Sequence, residues 1–281
     1  MKTGALIFAH NNTAIDYTKL AVFAAMRVKK YLNIPVTLVT DNVDWLEKNY
    51  PDHPFDQVIR IINETATSKL FYDGTLSSVK LEWKNVTRYR AYDITPYDRT
   101  LVLDSDYILN SDILKIALER DTPFQIYQKS FDLVDWRETQ QYERINQYSI
   151  PFYWATVFVF VKDPVTEAFF DLVTYIKNNW FYFRNLYSID GETFRNDYAF
   201  SIAIHIMNGK TNGDFAVPLP GAMNFIEDRD ILVDMNDDSM QFLLQKEDHL
   251  GEYIPAKVKG IDMHVMNKNS LTRVMNWKNY V

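Results

Sequence analysis

The chain has 281 residues, 47% hydrophobic and 15% aromatic, enough to bury a sizeable core in one large or two modest domains. Its formal net charge of −7 argues against a general binder of nucleic acid or anionic membrane acting through a long-range field. Cysteine is absent, which removes disulfide and thiol chemistry, and eight glycines with no low-complexity stretch argue against disorder.

In chain order, Ala5–Ala9 reads as a strand, too short and too soon followed by His10 and Asn11 to be a signal-peptide core. Ile15–Leu32 reads as an amphipathic helix, Val36–Thr40 as a second strand ending on Asp41, Trp45–Tyr50 as a short helix stopped by Pro51, and Gln57–Ile62 as a third strand. Leu81–Ile94 has helical spacing, with Trp83, Val86 and Tyr89 roughly a turn apart, and Pro96 ends it. This alternation predicts a parallel sheet with crossover helices. Phe152–Val161 is a strong strand, Pro164–Trp180 a helix with Pro at its start, and Asn196–Met207 another helix. From Gly209 onward short strands and loops are expected. The longest apolar run, Pro151 to Val161, is too short to span a bilayer, so a soluble chain in the cytoplasm is expected. With no repeat and no linker, a single two-lobed α/β domain is expected, its halves meeting near residue 110.

The most informative segment is Leu101-Val-Leu-Asp-Ser-Asp-Tyr-Ile-Leu109. An apolar run without alternation reads as a strand buried on both faces. Side chains two apart on an extended chain point the same way, so Asp104 and Asp106 project together from the strand's end. That edge is where open α/β sheets hold ligands. Two adjacent carboxylates repel, and a bound Mg²⁺ or Mn²⁺ relieves the repulsion. A Ca²⁺ loop would need further oxygen ligands and a Gly at its sixth position, where Tyr107, Ile108 and Leu109 offer none. An aspartyl-phosphate pattern would want Thr or Val where Ile108 stands, and a polymerase-type site would want an upstream Gly-Ser pair.

The ordered series of segments resembles the metal-dependent glycosyltransferases of the GT-A fold, especially the glycogenin-like and bacterial galactosyltransferase-like group. The likeness covers nearly the whole chain. Phe8-Ala-His-Asn-Asn12 is similar to the nucleotide-binding start; Lys84, Asn85, Arg88 and Arg90 precede the metal motif as basic donor-facing residues do in that family. Leu101–Leu109 matches the metal strand, and Phe152–Phe160 the strand whose entrance touches the donor sugar. Arg195-Asn-Asp-Tyr198 resembles the segment bearing a donor-sugar carboxylate, and Gly260–Val265 the strand that brings a His to the metal. The chain departs from the pattern at Trp154 and Thr156, where the family has Asn and Gly. It departs again after His264, where Lys268 follows at four residues without the family's Gly or Pro-Trp. Sequences of this look recur in tailed-phage genomes.

The resemblance implies a mainly parallel, Rossmann-like GT-A sheet flanked by helices. Residues 1–110 would bind the nucleotide sugar, and 111–281 would hold the acceptor and a C-terminal metal and phosphate segment. Asp104, Asp106 and His264 are the candidate metal ligands; two carboxylates and an imidazole suit Mn²⁺ somewhat better than Mg²⁺. Ala9, His10, Asn11, Asp41, Asn85, Arg88, Ser105, Trp154 and Lys268 are the candidate donor-binding residues. Arg88 is preferred to Arg90, because residues two apart on a helix cannot both face one ligand and Asn85 shares the Arg88 face. Asp197, with Asn196, is the candidate catalytic pair, Asp197 also complementing a helix dipole. Trp180 to Tyr187 is a candidate acceptor platform, whereas His205, amid apolar residues, reads as a packed core histidine. The expected function is transfer of a sugar from a nucleoside-diphosphate sugar to an acceptor hydroxyl, with retention. The alternatives are a phage enzyme glycosylating hydroxymethylated pyrimidines in DNA, working in the host cytoplasm, a catalytically silent GT-A protein, and a nucleotidyltransferase. The acidity counts against DNA, and the five bases in residues 257–281 count for it.

Overall fold

The computed structural model describes residues 1–62, 67–134, 137, 142–146, 149–246 and 249–281. The first elements are β1 (Thr3–Phe8), α1 (Tyr17–Leu32), β2 (Val36–Thr40), α2 (Val43–Asn49) and β3 (Gln57–Arg60). β1 and β2 carry mostly apolar residues, with Thr3, Thr37 and Thr40 among them, and are almost wholly buried, as befits inner strands covered on both faces. α1 starts two residues later than its hydrophobic pattern, because Asp16 caps it by accepting from the Lys19 N–H at 2.9 Å. Asn33, in the left-handed region at φ 53°, ends it.

The expected helix Leu81–Ile94 is not formed as such. Residues 81–83 instead end β5 (Ser78–Trp83), which pairs with β4 (Thr67–Tyr72) as a hairpin, and a 3-10 turn at Thr87–Arg90 then runs into the short α3 (Ala91–Ile94). Val79, Leu81 and Trp83 alternate with Lys80 and Glu82, and this period of two prevailed over the looser helical spacing. Gly74, at φ 72°, makes the turn between the strands.

Next come β6 (Arg99–Asp104), β7 (Tyr107–Ile108), α4 (Leu114–Glu119), β8 (Phe124–Tyr127), β9 (Ser130–Asp132) and β10 (Trp154–Val161). Ser105 and Asp106 break the expected nine-residue strand into β6 and β7. After them come α5 (Pro164–Asn178), α6 (Trp180–Leu186) and α7 (Asn196–Met207). Asp163 and Thr166 form a reciprocal capping box around Pro164 at the start of α5. The C-terminal part holds β11 (Val217–Pro218), β12 (Met223–Ile226), β13 (Ile231–Met235), β14 (Ser239–Gln245), β15 (Tyr253–Lys259), β16 (Met263–Val265) and α8 (Lys268–Trp277). It is more regular than short strands and loops: β14 and β15 pair over seven residues, and α8 buries Leu271, Val274 and Met275 at helical spacing behind an Asn267 cap.

The fold is mixed α/β. The central seven-stranded sheet has the order β11-β8-β10-β6-β1-β2-β3, parallel except where β10 runs against both neighbours. A second sheet, β7-β16-β12-β9, abuts the end of β6. Its register sets His264 opposite Tyr107, and the Val265 N–H donates to the Asp106 carbonyl at 3.0 Å. Backbone pairing thus delivers the C-terminal strand to the motif about 160 positions upstream. No helix of the described residues is long and apolar enough to cross a membrane.

Candidate metal and donor site

Asp104 ends β6, and Asp106 lies in the turn with Ser105 that leads into β7. Ligand atoms of Asp104, Asp106 and His264 all lie within 4.8 Å of one another. Lys268, the first residue of α8, reaches Asp106 at 2.6 Å, and His264 Nε2 lies 3.3 Å from the same carboxylate. Arg88, from the 3-10 turn, pairs with Asp104. The two carboxylates are therefore held together by a cation each.

Their ionisation differs accordingly. Burial pushes Asp104 up to about 6; Arg88 pulls the other way, and the neighbouring Asp106 charge adds to the rise. Burial acts on Asp106 too, but Lys268 and His264 outweigh it and hold that carboxyl well below the usual range. A close pair of acids with one easy and one difficult ionisation is what like charges at short range produce. A divalent cation would remove that difficulty.

These groups open on a cavity of about 380 Å³. Asn85, Ser105, Trp154, Asn196 and Asp197 also line it, so the structure gathers Asp104, Asp106, His264, Arg88 and Lys268 with these five around one space. Asp197, in the first turn of α7, accepts from the Ala155 N–H at 3.0 Å and from Arg195 at 2.9 Å. Asn196 donates to the Asn85 carbonyl at 3.3 Å, tying α7 to the segment before Arg88.

Several cavity-lining residues carry a buried polar atom with no hydrogen-bond partner among the described residues: Tyr17 Oη, Arg88 Nε, Trp154 Nε1, Asn196 Oδ1 and His264 Nδ1. Leaving such groups unpaired costs roughly 1–3 kcal/mol each, so polar groups gathered around this cavity have hydrogen-bonding capacity in reserve. Two carboxylates, an imidazole and orphaned donors fit a divalent cation carrying phosphate oxygens.

Ala9, His10, Asn11 and Asp41 do not line this cavity. Ala9 is buried and its N–H donates to the Val39 carbonyl. The His10 ring, fully buried, bridges Asp41 at 3.0 Å and Thr87 at 3.1 Å, and the His10 N–H donates to Asn85 Oδ1. Asn11 accepts from the Thr18 amide and hydroxyl. This network stands one layer behind Asn85 and Arg88. Arg90 is also outside the cavity. So is the aromatic run: Trp180 stacks on Tyr198, Phe183 is buried, and Phe181 and Tyr182 face solvent. His205 is half-buried, not a core residue, and lines a separate cavity of about 190 Å³. Sequence reasoning missed Tyr17, Lys69, Trp83 and Arg195, all in the main cavity. Tyr17 resembles the start of an apolar helix face, Trp83 lies where the spacing predicts a helix, and Lys69 lies on β4, a stretch for which the sequence pattern gives no element.

No protein-family model matches the chain, and no curated protein matches it in sequence. Among solved structures it is similar to the glycosyltransferase GlyE of Streptococcus pneumoniae TIGR4, at 13% identity over 78% of this chain and 46% of that one, TM-score 0.46. It is also similar to the galactosyltransferase LgtC in complex with donor and acceptor sugar analogues, at 13% identity over 76% and 72% of the two chains, TM-score 0.48. A third is S. aureus TarS 1–349, at 15% identity over 79% and 59%, TM-score 0.40. The chain spans less than half of the length of GlyE.

Proposed function

We propose that this chain is a divalent-cation-dependent glycosyltransferase, moving a sugar from a nucleoside-diphosphate sugar to an acceptor hydroxyl. The observation that carries the reading is the convergence of Asp104, Asp106 and His264, flanked by Lys268 and Arg88, on one cavity. The three ligands would hold Mn²⁺, or less favourably Mg²⁺. When bound, the cation supplies Lewis-acid stabilisation of the charge that builds on a departing diphosphate.

The chain's own residues do the rest. Lys268 and Arg88, now engaged by the two carboxylates, are placed to turn to phosphate oxygens once a cation shares those carboxylates. Asp197, with its carboxylate fixed by Ala155 and Arg195, faces the sugar and stabilises positive charge developing at the anomeric carbon. Asn196 Oδ1 and the Trp154 indole N–H offer an unpaired acceptor and donor to sugar hydroxyls. Burial of this wall excludes water, which favours transfer over hydrolysis. Retention belongs to the same reading and rests on the resemblance of the motif series. The negative net charge favours a carbohydrate acceptor over modified DNA.

A thermal-shift panel of nucleotide sugars with Mn²⁺ tests the proposal, since a true donor stabilises the folded state by mass action. One nucleotide should stand out, only with metal present, and slow hydrolysis should release nucleoside diphosphate and free sugar. Release of pyrophosphate from a nucleoside triphosphate and a sugar phosphate would instead support a nucleotidyltransferase. Stabilisation by no nucleotide sugar would sink the reading.

A further inference from the structure

The cavity contains four cationic side chains: Lys69, Arg88, Arg195 and Lys268. Three are paired, Arg88 with Asp104, Lys268 with Asp106 and Arg195 with Asp197. Lys69 has no carboxylate within 4.0 Å among the described residues; its ammonium lies 5.7 Å from the Phe71 ring centroid. Desolvation of the amine by the surrounding cavity, then repulsion from Lys268 and Arg195, lowers its pKa to about 8 while Asp228 and Asp106 pull the other way, so it still carries its charge at neutral pH.

Ser68, Lys69 and Leu70 of β4 all line the cavity and all remain exposed, so Lys69 stands at its mouth, while Phe71, two residues on, is buried. Trp83, on the same face of β5 opposite Thr67, lines the cavity as well. This hairpin pairs with no other strand among the described residues, and a lone two-stranded hairpin is marginal in water. Its tip is tied down from outside. Arg273 of α8 holds Asp73 through bonds of 2.5 and 2.9 Å, Asn267 donates to Asp73 at 3.3 Å, and the Gly74 N–H donates to the Asp228 carbonyl. The hairpin is thus an arch over the cavity, anchored on the helix whose first residue is Lys268.

We propose that Lys69 is a diphosphate-binding residue, held over the cavity by the Asp73–Arg273 tether, with Arg273 acting as its positioning residue. This rests on the function proposed above and adds to it a phosphate contact from outside the metal motif. A cation left unpaired beside two others is unfavourable until a multiply charged anion arrives, and a diphosphate on the metal side of the cavity supplies one. Loss of such a charged hydrogen bond weakens binding by about tenfold or more.

The test is calorimetric titration of the full chain with Mn²⁺ and UDP, ADP, GDP, CDP and dTDP in turn. Lys69→Met should weaken binding of the preferred diphosphate about tenfold or more, and Lys69→Arg should retain most of it. The corresponding monophosphate should lose less, and Mn²⁺ affinity without nucleotide, read by electron paramagnetic resonance, should not fall. Arg273→Ala should weaken diphosphate binding in the parent but add little in the Lys69→Met background. Equal binding by the parent and Lys69→Met overturns this assignment alone, and equal effects of Arg273→Ala in both backgrounds overturn the tether. Failure of the parent chain to bind any of the five with Mn²⁺ overturns the glycosyltransferase reading together with it.

Discussion

Replacing Asp106 by Asn separates a metal ligand from a structural ion pair. Asp106 and Lys268 form a buried pair, with side chains 5% and 12% exposed, and His264 sits against the same carboxylate. Because the Asp106 carboxyl is held well below the usual range, the substitution removes a full charge at any ordinary pH. Taking one partner from a buried pair costs about 3–5 kcal/mol, since the other charge is stranded. The lower end applies here, because Lys268 keeps a bond to the Met266 carbonyl at 3.2 Å. About 3 kcal/mol corresponds to a fall in Tm of roughly 6–12 °C in a chain of this size. Lys268→Met in the same molecule removes the stranded charge, so the double variant should recover most of that loss in metal-free urea unfolding. Mn²⁺ binding should not recover. It should stay weaker by more than the roughly 10–100-fold that follows loss of an outer partner of a ligand. Wild-type Mn²⁺ affinity in Asp106→Asn would falsify the metal assignment. A double variant no more stable than the single one would refute the ion-pair arithmetic.

Three further outcomes are expected. His264→Gln exchanges an imidazole nitrogen for an amide oxygen, so the ratio of Mn²⁺ to Mg²⁺ affinity should fall; an unchanged ratio, measured by competition, would remove His264 from the ligand set. Asp197→Ala should lower kcat far more than it weakens binding of the nucleoside diphosphate, because Asp197 is assigned to the sugar; a loss of stability alone, of about 0.3–1 kcal/mol as for a helix-dipole carboxylate, would withdraw that role. Asp262 is buried and pushed up to about 6, chiefly by burial, although it accepts from the Asn110 and Ser111 amides at 2.7 and 2.8 Å. A carboxyl whose folded pKa is raised contributes stability below its unfolded pKa of about 3.9, and that contribution is lost as pH rises through 6. Asp262→Asn, which mimics the protonated acid, should abolish a change in stability on the order of 3 kcal/mol between those limits; parallel stability curves for the two proteins would contradict this.

What was legible in the chain depended on the range over which each signal acts. β1 and β2 and the helix between them could be read because each is a local pattern bounded by turn residues: a mainly apolar run, a helical stripe, an Asp cap. Asp104 and Asp106 belong to the same class, since two carboxylates at the end of such a run repel unless positive charge is brought to them. Strand β5 failed because two periodicities overlap at its end, residues 81–83. Trp83, Val86 and Tyr89 fit a helix, Val79, Leu81 and Trp83 fit a strand, and nothing within the segment states that the tip will be tied to Arg273 and Tyr253. Lys69 lies on the partner strand β4, where the sequence pattern gives no element. Helix α8 was passed over although its Asn267 cap and its Leu271, Val274 and Met275 spacing were there to be read.

His264 is the instructive intermediate. Nothing local distinguishes it from the other histidines, and only the resemblance of Gly260–Val265 to a metal-bearing strand singled it out. The structure supplies the physical reason that the local pattern lacked: β16 pairs with β7, and that register puts residue 264 beside the turn that carries Asp106. A one-residue slip would turn His264 to the opposite face of the sheet and bring Met263 or Val265 to the carboxylates. The slip is opposed because Met263 and Val265 are both fully buried. The apolar neighbours of His264 therefore do more than fill space. By fixing the register they hold the imidazole beside Asp106, at the proposed metal position, and a polar residue at either site should weaken Mn²⁺ binding before it unfolds the chain.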